Sequence, residues 1–186
     1  MKHLARWISI AAHPFVMVLL LVGAVEAHRG PAAAARSIAA VALLFVLPVA
    51  VLIVRQTRRG AWSTVDASDP RERPLLYLVG GAGLVALFGY LLATQPATPL
   101  LRGALGTLGM LAVCAAATRW VKISLHVTVA ALASAILLGR GIPLGWLLAA
   151  VVPLLAWARV AMGRHRWIEV ALGLVAGAAA GVLIVR

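Results

Sequence analysis

Residues 144–185 read LGWLLAAVVPLLAWARVAMGRHRWIEVALGLVAGAAAGVLIV, an apolar run, a charged island from Arg159 to Glu169, and a second apolar run. Each run is roughly 15 to 20 residues, near the ~20 that an α-helix needs to cross a bilayer core. Neither shows the period-two alternation of a strand, and the second is dominated by Gly and Ala, which let helices approach closely in a membrane. The island between them carries Arg, His and Glu at helical spacing in a chain only 12% charged.

Five further apolar runs lie upstream, at about residues 8–25, 37–54, 75–93, 100–118 and 124–138. With 63% hydrophobic residues and a mean hydropathy of +1.03, the 186-residue chain lies far outside the soluble range. The expected fold is all-α, a polytopic transmembrane bundle of six to seven helices forming one integral membrane domain over residues 1–186. Within it, residues 1–54 hold the N-terminal spans and 55–186 a functional core. Lys2 and Arg6 precede the first run as in a secretory signal, but that run is long and six others follow it, so it reads as a retained span. Pro48 is expected to kink the second. The single cysteine, Cys114, excludes an intramolecular disulfide and reads as a small core residue.

The net charge of +12 is dispersed among short loops, which favours a phospholipid surface or a phosphate-bearing substrate over nucleic acid. If all seven runs cross, one side of the membrane holds twelve of the 17 basic residues, including Lys2, Arg58, Arg73, Lys122, Arg159 and Arg166. The positive-inside rule places that side in the cytoplasm, as expected for a bacterial inner (cell) membrane protein. Three polar clusters fall there together. They are the loop 55–74, RQTRRGAWSTVDASDPRERP; the segment Lys122-Ile-Ser124-Leu-His126; and the island.

These residue types suit phosphate chemistry. Arg73, Arg159 and Lys122 offer donors for phosphate oxygens, the arginines as planar forks and the lysine as a compact charge. Ser124 stands at the expected start of a helix, where the dipole favours an anion. His165 and Glu169 are spaced i,i+4 and touch if the helix begins at His165, so that the carboxylate holds one ring nitrogen and leaves the other to attack. His126, from a different segment, can protonate a leaving oxygen. Asp66 and Asp69 have the spacing of metal ligands, but pairing with Arg71, Arg73 or a neighbouring loop is the expected role, and no metal site is assigned. His3, His13 and His28 lack partners at useful spacing. The six tryptophans lie mostly near span ends, as an interfacial belt would place them.

Ser124-Leu-His126 followed by Arg159-x5-His165-x3-Glu169 resembles the second and third signatures of the type 2 phosphatidic acid phosphatases, membrane enzymes that dephosphorylate lipid phosphates without metal. Arg73-Pro74 matches the end of their first signature, and the resemblance runs from about Arg55 to the C-terminus. It implies that His165 is the nucleophile that forms a phosphohistidine, Glu169 its orienter and His126 the general acid. Arg73, Lys122, Ser124 and Arg159 would hold the phosphoryl oxygens, with no cofactor. Four positions depart from the pattern. Asp66 stands where the family has Lys, Leu125 replaces Gly, Ala158 replaces Ser, and Glu169 replaces Asp. The expected activity is hydrolysis of a polyprenyl-linked or phosphatidyl-type lipid phosphate or diphosphate. An inactive lipid-binding scaffold and a small transporter are the alternatives. Oligomeric state is not legible.

Overall fold

A computed structural model describes residues 1–67 and 69–186. Nine α-helices are present among the described residues, with no strand: α1 (Lys2–Ala11), α2 (Pro14–Glu26), α3 (Pro31–Val41), α4 (Leu47–Arg58), α5 (Arg73–Thr94), α6 (Pro99–Ala117), α7 (Leu125–Gly139), α8 (Leu144–Ala161) and α9 (Trp167–Val185). Six helical segments are long and apolar enough to cross a membrane when α1–α2 and α3–α4 are each taken as continuous. The 15-residue α7 is a seventh, shorter apolar helix. The expected bundle of six to seven helices is therefore present.

Two of the expected spans are interrupted, each by proline. His13 is extended (φ −62°, ψ 141°) and caps α2 by accepting from the Phe15 N–H, while Pro14 opens that helix at a position where no donor is needed. The first apolar run is thus split at Ala12–His13–Pro14, and α1 turns away to pack on α8. In the second run a π-helical turn, Ala42–Val46, lies between α3 and α4 just before Pro48. The proline ring displaces the carbonyl four residues back, Leu44, and the wider turn absorbs the displacement. α5 meets this turn at Gly83, where a Cβ would stand 2.7 Å from the Leu44 oxygen.

Helix contacts form a ring. α7 packs on α2, α2 on α3, α4 and the π turn on α5, α5 on α6, α6 on α9, and α9 back on α7. α8 lies outside it, against α7, α9 and α1. The tightest crossing is α7 on α9, because Gly173, Gly177 and Gly181 present a bare stripe to α7. A Cβ at Gly173 would lie 2.9 Å from the Ser124 carbonyl oxygen, one at Gly181 2.9 Å from that of Leu132, and one at Gly177 would collide with that of Thr128. Such close approach is the means by which helices associate where lipid removes the hydrophobic drive between them. Ten of the fifteen residues of α7 are buried as a result, including Val127, Ala133 and Leu137 at 0% exposure, which accounts for a helix apolar on most sides.

Candidate active site

The α8–α9 turn shapes the island. Gly163 adopts φ +69°, and α8 closes with the Arg164 N–H donating to the Arg159 carbonyl (3.0 Å) and the Gly163 N–H to that of Val160 (2.8 Å). This pair of bonds is a Schellman motif, for which the left-handed glycine is the usual requirement. The His165 N–H also donates to the Arg159 carbonyl (3.2 Å), so the turn fixes the two residues on one another.

His165 lies before α9 rather than inside it, correcting the expectation of a helix that starts there. It still reaches Glu169, with Nδ1 to Oε2 at 2.8 Å and both residues buried. Glu169 is the third residue of α9, and the same carboxylate accepts the Arg166 backbone N–H (3.2 Å) and Arg166 Nε (3.2 Å). This backward reach from N3 is the glutamate's half of a capping box, the other half being closed to a donor-only Arg at the N-cap, and the extra methylene of Glu over Asp provides the length. With Nδ1 donating to the carboxylate, the network assigns the lone pair to Nε2. Burial first, then the positive charges of Arg159, Arg73 and Lys122, push the imidazole down to about 4 against the opposing pull of Glu169, so His165 is neutral at pH 7.

Ser124 is the N-cap of α7, completely buried, with its Oγ unpartnered. Its backbone N–H donates to the Glu169 carbonyl (3.1 Å), which ties the start of α7 to the first turn of α9. His126 is the second residue of α7, buried, with Nε2 lacking a hydrogen-bond partner and within electrostatic reach of Arg159, His165, His13 and Arg73. The α7–α9 crossing therefore delivers His126 and Ser124 to the vicinity of His165 and Glu169. Lys122 donates to the Arg164 carbonyl (2.9 Å), and burial lowers its pKa below the ordinary lysine value.

Arg73 is 2% exposed and donates through Nη1 to the Ile123 carbonyl (2.7 Å) and the Tyr77 hydroxyl (3.2 Å), and through Nε to the Ala67 carbonyl (3.4 Å). It joins α5 to the segment leading into α7 and to the loop before α5. Arg159, 1% exposed, donates from Nη1 to Ser9 Oγ (3.0 Å) and to Asp66 Oδ2 (3.0 Å), while its Nε has no partner.

All seven expected residues thus lie at one end of the bundle, and the structure adds others. Asp66 is the most consequential. Its carboxylate pairs with Arg159, stands 3.9 Å from Arg164 Nε and 3.8 Å from His126 Nε2, the last too long for a hydrogen bond. Ala67 beside it has φ +46°, an uncommon backbone for a non-glycine residue. Pairing with a neighbouring loop was expected for Asp66, but the choice of Arg159 was not.

Asp69 has a local role: it accepts the Arg71 N–H (2.8 Å) and forms a capping box with Glu72, which also accepts the Ser63 N–H (2.7 Å). Among the described residues no group of three or more His, Cys, Asp or Glu is placed to hold a metal ion. His13, set aside in the sequence reading, packs edge-on against His126 with ring centroids 5.3 Å apart. Ser9 and His13, four residues apart at the end of the first span, carried a faint signal, which the distance of Ser9 from Arg159 in sequence concealed. Of the tryptophans, Trp7, Trp120, Trp146 and Trp167 are exposed as an interfacial belt requires, whereas Trp62 is buried in the loop before α5. No protein-family model, no curated protein and no solved structure matches the chain.

Proposed function

We propose that this membrane protein is a lipid phosphate phosphatase that works without metal, with His165 as the nucleophile. The observation that carries the reading is the buried His165–Glu169 hydrogen bond of 2.8 Å, beside Arg159 and facing the end of α7 that holds His126. A neutral imidazole held at Nδ1 by a carboxylate is competent to attack phosphorus through Nε2. In the first step the N–P bond forms as the P–O bond to the lipid breaks, and His126 gives its proton to the departing oxygen. In the second, water attacks phosphorus as the N–P bond breaks, and its proton passes to the His126 deprotonated in the first step, which releases inorganic phosphate and a neutral His165. Arg159 and Lys122 supply positive charge for the phosphoryl oxygens, and Ser124 supplies a hydroxyl whose bonding capacity is unspent. Arg73, by contrast, fits a role in holding the loops that bear the others. Phosphoryl transfer depends mainly on such positioning and charge stabilisation.

The resemblance to type 2 phosphatidic acid phosphatases supports the same roles and extends the substrate to polyprenyl-linked or phosphatidyl-type lipids. The distribution of Lys and Arg supports a cytoplasm-facing site in a bacterial cell membrane. A second reading, a lipid-binding protein without turnover, is favoured by one observation, the carboxylate of Asp66 already seated on Arg159. Purified protein incubated with lipid phosphates, with and without chelator, tests the choice. Chelator-insensitive phosphate release that disappears in His165→Asn supports the phosphatase. Binding without release supports the second reading, and solute flux in vesicles supports a transporter.

A further inference from the structure

The ring of helices encloses a cavity. One chamber, of about 110 Å³, opens on His13, Asp66 and His126 at the site end of the bundle. A second, of about 70 Å³, extends to Glu26 and Arg140 at the other end. The two share five wall residues, Val18, Phe45, Leu84, Thr107 and Leu132, contributed by α2, the π turn, α5, α6 and α7. They adjoin as two narrow parts of a passage along the bundle axis, well below the ~300–1,000 Å³ of pockets that take a whole small organic ligand and closer in scale to one alkyl chain. The passage follows α2 from His13 to Glu26; its 13 helical residues set a length of roughly 20 Å at 1.5 Å per residue.

Its walls are almost wholly apolar between polar ends. At the far end Glu26 is completely buried with Oε1 unpartnered, its Oε2 accepting from Arg29 (2.6 Å) and Ser37 (3.2 Å), and Arg140 Nε is buried without a partner. A passage of this kind offers nothing to an ion or a sugar along its length and suits a hydrocarbon chain. Two larger cavities, about 680 Å³ between α6 and α9 and about 670 Å³ along α7, α8 and α9, are lined by none of the site residues, Val127 and Val170 being only their apolar sequence neighbours.

The geometry points to an axial binding site for a single hydrocarbon chain, threaded from the phosphate site between the helices of the ring toward Glu26 and Arg140. This rests on the phosphatase reading for the headgroup and deepens it. The substrate class it selects is a lipid phosphate with one chain, in preference to a two-chain glycerophospholipid, whose second chain would have no place in the same passage.

The test uses the full chain in lipid nanodiscs and a non-hydrolysable single-chain alkyl phosphonate, long enough to reach the far chamber and bearing a photoreactive diazirine at its terminal carbon. Mapping the adduct by mass spectrometry is expected to place it on Pro99–Thr107 of α6 or Val22–Glu26 of α2. Thr107→Phe and Val18→Phe, two independent obstructions outside the catalytic set, are expected to remove that label. A two-chain phosphonate with one terminal diazirine is expected to label these segments far less. Adducts on lipid-facing residues such as Leu78 or Leu183, labelling that neither obstruction reduces, or equal labelling by the two-chain probe would each overturn the proposal. So would solute flux that Thr107→Phe blocks. Because the phosphonate is not turned over, the location of its chain is read separately from phosphate release. Internal labelling with no release from any lipid phosphate would retain the chain site and reject the phosphatase.

Discussion

Asp66 and Arg159 form an ion pair at 3.0 Å across 93 positions of sequence, in the place where a substrate phosphate would need the same guanidinium. The carboxylate behaves as a resident anion, and a phosphate must displace it or share the arginine with it. Like charges a few ångströms apart repel by up to about 4 kcal/mol at an effective dielectric near 20. Asp66→Asn keeps a hydrogen-bond acceptor for Arg159 and removes the charge. We expect KM for a lipid phosphate, and the inhibition constant of inorganic phosphate, to fall by about tenfold, or ~1.4 kcal/mol. A loss of kcat at unchanged KM would instead assign Asp66 to positioning His126, 3.8 Å away.

In the proposed mechanism Glu169 acts through its length. One carboxylate serves both His165 Nδ1 and the Arg166 N–H, from a position three residues into α9. Glu169→Asp withdraws the carboxylate by one methylene and cannot keep both bonds. Glu169→Gln keeps the length and loses the charge that favours the developing imidazolium. Both should lower kcat, Glu169→Gln by about 10²- to 10⁴-fold as an upper range for removing an orienting carboxylate. His165→Asn should abolish turnover while the melting temperature in detergent stays near that of the parent. Full activity in Glu169→Asp would show that the cap, rather than the histidine, is what the carboxylate serves.

Much of this site was legible because its two central parts are local. Arg159, Gly163, His165 and Glu169 lie within eleven residues, and a Schellman turn followed by the reach of Glu169 back to the Arg166 N–H brings them together from sequence-near bonds. The richness of the last run in Gly and Ala was also readable as close helix approach, but which glycines form the stripe was not. The partner of Asp66 was not, because the loop 59–72 follows no period and its course depends on bonds from Arg73 to Ala67 and Ile123, fifty residues apart in the second case. The break at His13–Pro14 contained a visible proline, yet a continuous hydropathy profile hid it. His13 and Ser9 reach the site only because α1 folds back on α8, a tertiary choice that local pattern does not encode.

The pH profile follows from the surroundings of His165. As the proposed nucleophile His165 must be neutral, and burial together with three nearby cations holds its pKa at about 4. The acid limb of kcat/KM is therefore expected below pH 6.5, the ordinary histidine value. Lys122 is one of those cations, so Lys122→Met should move the limb to higher pH, apart from any loss in phosphate affinity. The linkage to stability has the same origin. The unfolded chain binds this proton near 6.5 and the folded one only near 4, so the unfolded state holds more protons between those values. Stability from this group is complete above about 6.5 and declines as pH falls toward 4. An acid limb that stays fixed in Lys122→Met would assign it to another group.

The α7–α9 crossing places a structural demand on the catalytic end, and glycine substitutions measure it. A Cβ at Gly177 would collide with the Thr128 carbonyl, and neither helix backbone can yield without separating from its neighbour. Overpacking of this kind costs about 1–3 kcal/mol. Gly177→Ala should lower the melting temperature in detergent and, because Ser124 is bonded to Glu169 across the same contact, also reduce kcat. Gly109, on α6, has open space where a Cβ would go, and Gly109→Ala should be neutral or stabilise by about 0.5–1 kcal/mol through the lower entropy of the unfolded chain. Comparing the two separates a generic dislike of added methyls from the specific approach of α7 to α9. If Gly177→Ala keeps both melting temperature and kcat, the helices are not held at this distance by the bare stripe, and the delivery of His126 to His165 must rest on the loops alone.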